Sequence, residues 1–236
     1  MRTHGWGGST PSTDEEAIER ILDAADQVIE DEEGDFHVAK VARALGISRQ
    51  TVYNYFPGTG ALLEAVAVRS AVRFSDRVAE HMAGMTDPVE TMLEALAYTL
   101  DSLAEEKERG IRLFFTYDLS RATKRITSQE SYQFYRDMLQ RFDVDWSAVG
   151  MGDVELEEVG EYLLRIIELY MVNPGEVRTG DVLRAYLRRW VAPVLRSEVE
   201  THSRTKATAE SPAPQRSRRR ATSAANSAPL TKTSSR

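Results

Sequence analysis

Arginine, amide, hydroxyl and aromatic side chains are concentrated in one short segment, Arg49–Tyr55, in a combination that suits hydrogen bonding to a nucleic acid. Arginine and amide groups form paired hydrogen bonds with base edges in the major groove of DNA, and hydroxyls contact phosphates. No acidic residue occurs from Phe36 to Leu63, although the chain contains 37 Asp and Glu residues. This acid-free stretch also holds Lys40 and Arg43, so we expect it to face an anionic backbone.

The net charge of −7 conceals two parts of opposite sign. Residues 203–236 contain eight Lys or Arg residues and one acid, so they carry +7 and residues 1–202 carry −14 (−7 minus +7). An acidic body disfavours nucleic acid as a partner everywhere except at the acid-free stretch. The basic run Arg216–Arg220 is typical of a soluble tail, and the alternative is that it adds salt-sensitive, sequence-independent affinity for DNA.

Two short helices separated by a tight turn are predicted to present the segment. Gly46 supplies the positive φ at which the chain leaves the first helix, and Ser48 caps the second. Pro57 ends the second helix, because the residue before a proline is displaced from the α region. The side chains expected to fix the angle between the helices are Val41, Leu45, Ile47 and Val52, with the small Ala42 where the helices cross. An amphipathic helical hairpin with a solvated polar face is the alternative interpretation.

The sequence of this unit resembles the N-terminal domain of the TetR family of transcription regulators. The matching residues are Gly46-Ile47-Ser48, Thr51-Val52-Tyr53 and Tyr55-Phe56, preceded by Ile21-Leu22-x-Ala24-Ala25 and followed by Leu62-Leu63. The resemblance covers residues 16–66, and beyond them it rests on the number and length of helices. It implies a homodimeric repressor that binds a palindromic operator in double-stranded DNA and senses a small ligand through a C-terminal helical domain.

The resemblance also implies roles for individual side chains. The predicted DNA-binding residues are His37, Lys40, Arg43, Ser48, Arg49, Gln50, Thr51, Tyr53, Asn54, Tyr55 and Thr59. By this analogy Arg49–Thr51 and Tyr53 contact base edges, and Tyr53–Tyr55 contact phosphate or sugar. Lys40 and Arg43 face or flank the DNA backbone, where they position the domain without specifying sequence.

Two positions depart from the family pattern. His37 stands where the family usually has a Thr or Ser that caps the first motif helix and contacts phosphate. Thr59 stands where a lysine often begins the long helix after the motif. Thr59 can still contact phosphate through its hydroxyl or through a backbone N–H at the helix N-terminus. These departures bear on DNA affinity and leave the predicted fold unchanged.

Hydrophobic periodicity predicts about nine helices and no convincing strand, so the expected fold class is all-α. A first helix from Asp14 with Gly34 as its C-cap and the two motif helices form a three-helix DNA-binding domain over 14–58. Further helices are expected near 59–82, 88–109, 111–117, 128–142, 154–172 and 179–198, with a break at Asn173-Pro174-Gly175. They form a ligand-binding and dimerisation domain over 59–200, joined to the head by helix 59–82. We expect residues 1–13 to be flexible and residues 201–236 to be a disordered basic tail.

Two apolar sets in the body suggest a dimer interface and a ligand pocket. The interface set is Val159, Leu163, Ile167, Tyr170, Leu183, Tyr186, Leu187, Trp190 and Val194. The pocket set is Met92, Leu96, Leu100, Phe114, Phe115, Tyr117, Phe134, Met138, Tyr162 and Ile166, with the hydroxyl of Tyr117 or Tyr162 available to a polar end of a largely apolar small molecule. The alternative for both sets is that they pack in the monomer's own core.

Several function classes are disfavoured by the sequence. The four histidines are scattered, and no His–carboxylate pair has metal-ligand spacing, so we expect no enzyme, metal or cofactor. Cysteine is absent, and no apolar run approaches the roughly 20 residues of a membrane span, so a cytoplasmic protein with no membrane partner is expected. An architectural DNA-binding protein without a small-molecule effector is the alternative function.

Overall fold

The computed structural model of the protein describes residues 6–31, 36–105, 109–173 and 175–210. A short 3₁₀ turn, Trp6–Gly8, precedes eleven α-helices. These are α1 (Asp14–Asp31), α2 (Val38–Ala44), α3 (Arg49–Tyr55), α4 (Thr59–His81), α5 (Pro88–Ala104), α6 (Arg109–Tyr117), α7 (Leu119–Ile126), α8 (Gln129–Gln140), α9 (Asp153–Val172), α10 (Gly180–Trp190) and α11 (Ala192–Glu210). The described ranges contain no strand, so the all-α prediction is confirmed.

The structure has two helices more than the nine expected from periodicity. Residues 119–126 form α7, whose start is capped by Asp118 through the backbone N–H of Arg121. The helix expected near 179–198 is divided into α10 and α11, and α11 continues to Glu210. The expectation of a disordered tail from 201 onward is therefore wrong for residues 201–210. Residues 1–5, Gly34, Pro174 and the run Arg216–Arg220 lie outside the described residues.

Two apolar clusters form the interior. The head cluster joins α1, α2 and α3 to the first turns of α4, and its most buried side chains include Ile21, Val41 and Val52. Phe114, Phe115 and Ala122 belong to this same cluster, so α6 and α7 pack against the head. The body cluster joins the C-terminal half of α4 to α5 and α8–α11. None of the helices in the described ranges combines the length and hydropathy needed to cross a bilayer.

Arg184 of α10 holds this helix against α5 through two acidic residues of α5. Arg184 donates from Nε to Glu94 at 2.8 Å and from Nη1 to Asp101 at 2.8 Å. Asp101 also accepts the backbone N–H of Gly180, which fixes the first turn of α10. Burial raises the pKa of Glu94, but the hydrogen bonds from Arg184 and His81 outweigh it, and the pKa lies below its usual value. The carboxylate is therefore ionised at neutral pH and keeps the two helices together.

Arg69 ties α4 to α1 where the head meets the body. Its guanidinium contacts Asp26 at 2.7 Å, Asp23 at 2.8 Å and Glu19 at 3.2 Å, and only 16% of the side chain is exposed. Arg73 donates to the same Asp26 at 2.6 Å, and this hydrogen bond raises the pKa of Arg73. Leaving the largely buried carboxylate of Asp26 without its cation would cost free energy. The ion pairs of Arg69 therefore constrain the angle between α1 and α4.

We predict that Arg69→Met lowers the free energy of unfolding by about 2 kcal/mol, because it removes the cation shared by three carboxylates. Urea denaturation at neutral pH measures the change. Arg204→Met is the matched control, because that side chain is 76% exposed, and it should cost less than about 0.5 kcal/mol. Equal effects of the two substitutions would show that the cluster contributes no more than a surface ion pair.

Candidate functional site

The helix–turn–helix has the local geometry that the sequence predicts. Gly46 has a φ of 65°, and its N–H donates to the carbonyl of Arg43 at 3.0 Å, which ends α2. Ser48 is the N-cap of α3 and accepts the backbone N–H of Thr51 at 3.0 Å. Val41 and Val52 are fully buried between the helices, whereas Leu45 and Ile47 are only half-buried. The turn and the cap therefore fix where α3 points.

The outward face of α3 consists of four exposed side chains, Arg49, Gln50, Tyr53 and Asn54. Gln50 donates from Nε2 to Oδ1 of Asn54 at 3.2 Å, which aligns the two amides along the helix. Tyr53 is 40% exposed. Thr51 is half-buried, and its hydroxyl lies 2.8 Å from that of Ser48. The face presents hydrogen-bond donors, acceptors and one aromatic ring with no acidic group.

The predicted backbone contacts are positioned at the edges of the motif. His37 is exposed at the N-cap of α2 and gives that helix no side-chain cap. Lys40 is half-buried on α2, and Arg43 is exposed in its last turn. Thr59 is half-buried at the start of α4, directly after Gly58, whose φ is 110°. Contact of these residues with DNA remains a prediction.

Tyr55 is held by the fold itself. Its hydroxyl donates to Asp14 at 3.2 Å, and burial together with this neighbour raises its pKa. The ring of Trp6 meets it edge-on, with 6.3 Å between ring centroids. The backbone N–H of Trp6 also donates to the carbonyl of Leu45 at 2.6 Å, at the end of α2. Trp6 is therefore a positioning residue that the sequence reasoning missed, since a lone aromatic among glycines gives no periodic signal.

Residues 6–13 lie against the head. The expectation that residues 1–13 are flexible is therefore corrected for residues 6–13, which are the ones that the structure describes. Glu16 accepts hydrogen bonds from the backbone N–H of Ser12, from its hydroxyl and from Arg20, and these lower the pKa of Glu16 to about 2. Arg20 also donates to the carbonyl of Ser9. These contacts attach residues 9–12, which follow Trp6 in the chain, to α1.

An apolar cavity of about 350 Å³ lies where the head and body clusters meet. Side chains of α4–α9 line it, and this volume is within the usual range of small-molecule sites. Four residues of the predicted pocket set line it: Phe114, Phe115, Phe134 and Met138. The sequence reasoning missed Ala67 and Leu164 among others, because periodicity gives no information about which helices face each other across a void.

The other six residues of the predicted pocket set do not line this cavity. Met92 and Leu96 are fully buried in the body core, and Leu100 lines a separate pocket beside α6. Tyr117 is 53% exposed, and Tyr162 and Ile166 pack part-buried on the body cluster along α9. Tyr135 lines the cavity, is 5% exposed, and its hydroxyl makes no hydrogen bond with a described residue. Burial raises its pKa, so it stays protonated.

The predicted interface set is divided between interior and surface. Val159, Leu163, Ile167, Leu183 and Leu187 are buried in the monomer's own core, which was the alternative interpretation for them. Tyr170 and Tyr186 are half-buried, whereas Trp190 is 59% and Val194 43% exposed. Val154, Leu169 and Val172 on α9 are also exposed and were not anticipated, and Val182 on α10 is 65% exposed. The exposed apolar side chains of α9, α10 and α11 are therefore the members and neighbours of the predicted interface set that the monomer's own core does not bury.

Comparison with known proteins matches residues 21–66 to the family model described as "Bacterial regulatory proteins, tetR family". Two uncharacterized HTH-type transcriptional regulators of Mycobacterium tuberculosis, from strains CDC 1551 / Oshkosh and ATCC 25618 / H37Rv, are each 32% identical over 85 residues. The matches cover 36% of this chain, and the chain spans 42% of the length of each of these relatives.

A solved structure shares the fold over most of the chain. It is that of the TetR family repressor AlkX from Dietzia sp. strain DQ12-45-1b, implicated in biodegradation of n-alkanes. The TM-score is 0.56 at 18% sequence identity, and the superposition covers 81% of this chain and 100% of that one. The similarity therefore extends past the matched head into the helical body, as a likeness of fold.

We predict that Trp6→Ala increases amide hydrogen exchange in α2 and α3 about two- to tenfold, because an aromatic pair contributes roughly 0.5–1.5 kcal/mol. Hydrogen-exchange mass spectrometry of the full chain measures it, and peptides from α9 and α10 serve as the internal control. Trp6→Phe should retain most of the protection, since a phenyl ring can still meet Tyr55 edge-on. Unchanged exchange in α3 of the alanine variant would show that Trp6 does not position the helix.

Proposed function

We propose that this chain is a member of the TetR family of bacterial regulatory proteins and acts as a homodimeric, sequence-specific repressor that a largely apolar ligand releases from DNA. The proposal depends on one observation: helix α4, which follows the proposed DNA-binding motif, also forms a wall of the cavity. Helix α4 starts at Thr59, beside α3, and contributes Ala67, Ala71 and Ser75 to the lining. A ligand in the cavity therefore contacts the element that positions the head.

The exposed face of α3 supports sequence-specific DNA binding. Arg49 can donate to guanine and Gln50 or Asn54 can pair with adenine in the major groove, where each good pair discriminates by about 1–3 kcal/mol. The acid-free stretch from Phe36 to Leu63 lets this face approach phosphates without repulsion, although the chain carries a net charge of −7. His37, Lys40, Arg43 and Thr59 flank the face and are proposed to fix its register on the backbone.

The exposed apolar face of α9–α11 supports a homodimer. Leu169, Val182, Trp190 and Val194 are each at least 43% exposed, and Tyr186 and Tyr170 are half-buried beside them. A surface with aromatic and aliphatic groups of this size is typical of protein interfaces. A two-fold dimer would place two copies of α3 about one helical turn of DNA apart, roughly 34 Å, and match a palindromic site.

Repression and release are proposed to follow from the position of the cavity between the two clusters. Its lining includes Phe114 and Phe115 of the head cluster and Phe74 and Ile167 of the body cluster. A ligand that fills it better at one separation of the clusters would shift the population of head positions. Repression, rather than activation, is proposed by analogy with the structural neighbour, which is named a repressor.

We predict that the full chain prefers the duplex upstream of its own gene over a scrambled duplex by about 10³-fold or more. Gln50→Ala and Tyr53→Ala should each remove about 1–3 kcal/mol of that preference, because both side chains are exposed on α3. Fluorescence anisotropy at two salt concentrations measures it.

The matched control for these DNA-binding variants is Gln133→Ala, an exposed glutamine on α8, which should bind both duplexes as the wild type does. Equal wild-type affinity for several candidate duplexes and their scrambled versions would support the architectural alternative. Absence of binding at low salt would contradict the DNA-binding proposal itself.

We predict that Trp190→Glu converts the dimer to a monomer, because it places a charge in the middle of the proposed apolar interface. Sedimentation velocity at micromolar concentration measures the association state. Val177→Glu is the matched control, since Val177 is 61% exposed but precedes α10 in the loop. If both variants sediment as the wild type does, the face of α9–α11 is not the interface.

A further inference from the structure

One cation lies at the edge of the apolar cavity. Arg125, in the last turn of α7, lines the cavity, and it also lines an adjacent polar hollow together with Lys124, Arg121 and Ser128. The Arg125 side chain is partly buried, and its guanidinium makes no salt bridge with a described residue. The cavity therefore opens at one place onto a positive group.

The acidic side chains near this edge already form salt bridges or accept hydrogen bonds. Glu64 and Asp118 both bind Arg121, at 3.1 and 3.6 Å. Glu130 lies in the first turn of α8, where hydrogen bonds from its own backbone N–H and from Ser128 lower its pKa, with a smaller contribution from the charge of Arg125. Lys124 is exposed and, like Arg125, makes no salt bridge with a described residue. Glu130, which also lines the cavity, is ionised and forms no salt bridge with a described residue. Lys124 and Arg125 therefore provide two positive charges beside this one negative charge.

The interior of the cavity offers little to a polar ligand group. The hydroxyls of Ser75, Thr99 and Ser131 each donate to a main-chain carbonyl at 2.7 Å, two of them within their own helix. The remaining lining is apolar apart from Tyr135, Glu130 and Arg125, and its outer rim carries the exposed side chains of Val72 and Phe134. An apolar chain can therefore enter at the rim and fill the interior, while a negatively charged end finds a positive charge in the lining only at Arg125.

We propose that the ligand of this cavity is an amphiphile with an apolar chain and an anionic head, whose chain fills the cavity and whose head pairs with Arg125. The guanidinium can bind a carboxylate or a phosphate through two parallel hydrogen bonds. Lys124 lies beside it in sequence and adds a second positive charge at the solvent side. This assignment rests on the cavity being the effector site of the regulator proposed above.

The test compares three ligands with the same chain: dodecanoate, dodecyl phosphate and dodecanol. Isothermal titration calorimetry of the full chain, below the concentration at which each amphiphile aggregates, gives the dissociation constants. At least one anionic ligand should bind wild type about tenfold more tightly than dodecanol does, because a hydrogen-bonded charge pair forms. The ratio of the dissociation constants of dodecanoate and dodecyl phosphate shows which anionic head group binds more tightly at the cationic edge.

Arg125→Gln should abolish the preference for the anionic ligands and leave the affinity for dodecanol unchanged, which also shows that the cavity is intact. Arg125→Lys keeps the charge and should retain most of the preference. Arg204→Gln removes an exposed positive charge on α11 and should change none of the three affinities. Equal wild-type affinity for all three ligands, or an equal loss for all three in Arg125→Gln, would overturn the proposal.

A parallel DNA-release experiment separates this inference from the regulator proposal. If the anionic ligands bind through Arg125 but the chain has no preference for any duplex, the ligand assignment stands and the regulator proposal fails. If the chain binds its duplex specifically but none of the three ligands binds, the ligand assignment is overturned while the DNA-binding proposal stands.

Discussion

Helix α4 belongs to both apolar clusters, and this shared burial constrains the whole molecule. Leu62, Leu63 and Val66 are fully buried in the head, and Phe74 and Val78 are buried in the body. Because the helix is continuous from Thr59 to His81, rotation or displacement at one end is transmitted to the other. The head therefore cannot change its position without disturbing packing in the body.

Two contacts fix α4 between its two clusters. On one side the carboxylates of α1 surround Arg69, whose Nε is buried without a hydrogen-bond partner. On the other side Gly110 brings α6 close to α4, since a β-carbon there would lie 3.1 Å from both Val66 and Ser70. The cavity begins next to this crossing, and Ala67 and Ala71 are two of the six α4 residues that line it. Small side chains on α4 leave the space that a ligand would occupy.

The head was predictable because its signals are local. Gly46, Ser48 and Pro57 lie within a dozen residues of each other, and each acts on the backbone next to it. The acid-free stretch from Phe36 to Leu63 is likewise a property of consecutive residues. Helix α7 and the division between α10 and α11 were missed, because short helices depend on tertiary packing for most of their stability, although Asp118 does cap α7.

The sequence by itself determined the fold class, the turn that presents α3, and the charge pattern around it, since periodicity, caps and composition act over a few residues. Only the tertiary structure decided which apolar side chains face a void and which fill the core. Met92 and Leu96 pack in the interior, Phe114 and Met138 border the cavity, and Trp190 remains on the surface. An apolar residue has the same signature in all three places, because burial depends on the helix opposite it, and sequence periodicity carries no information about that helix.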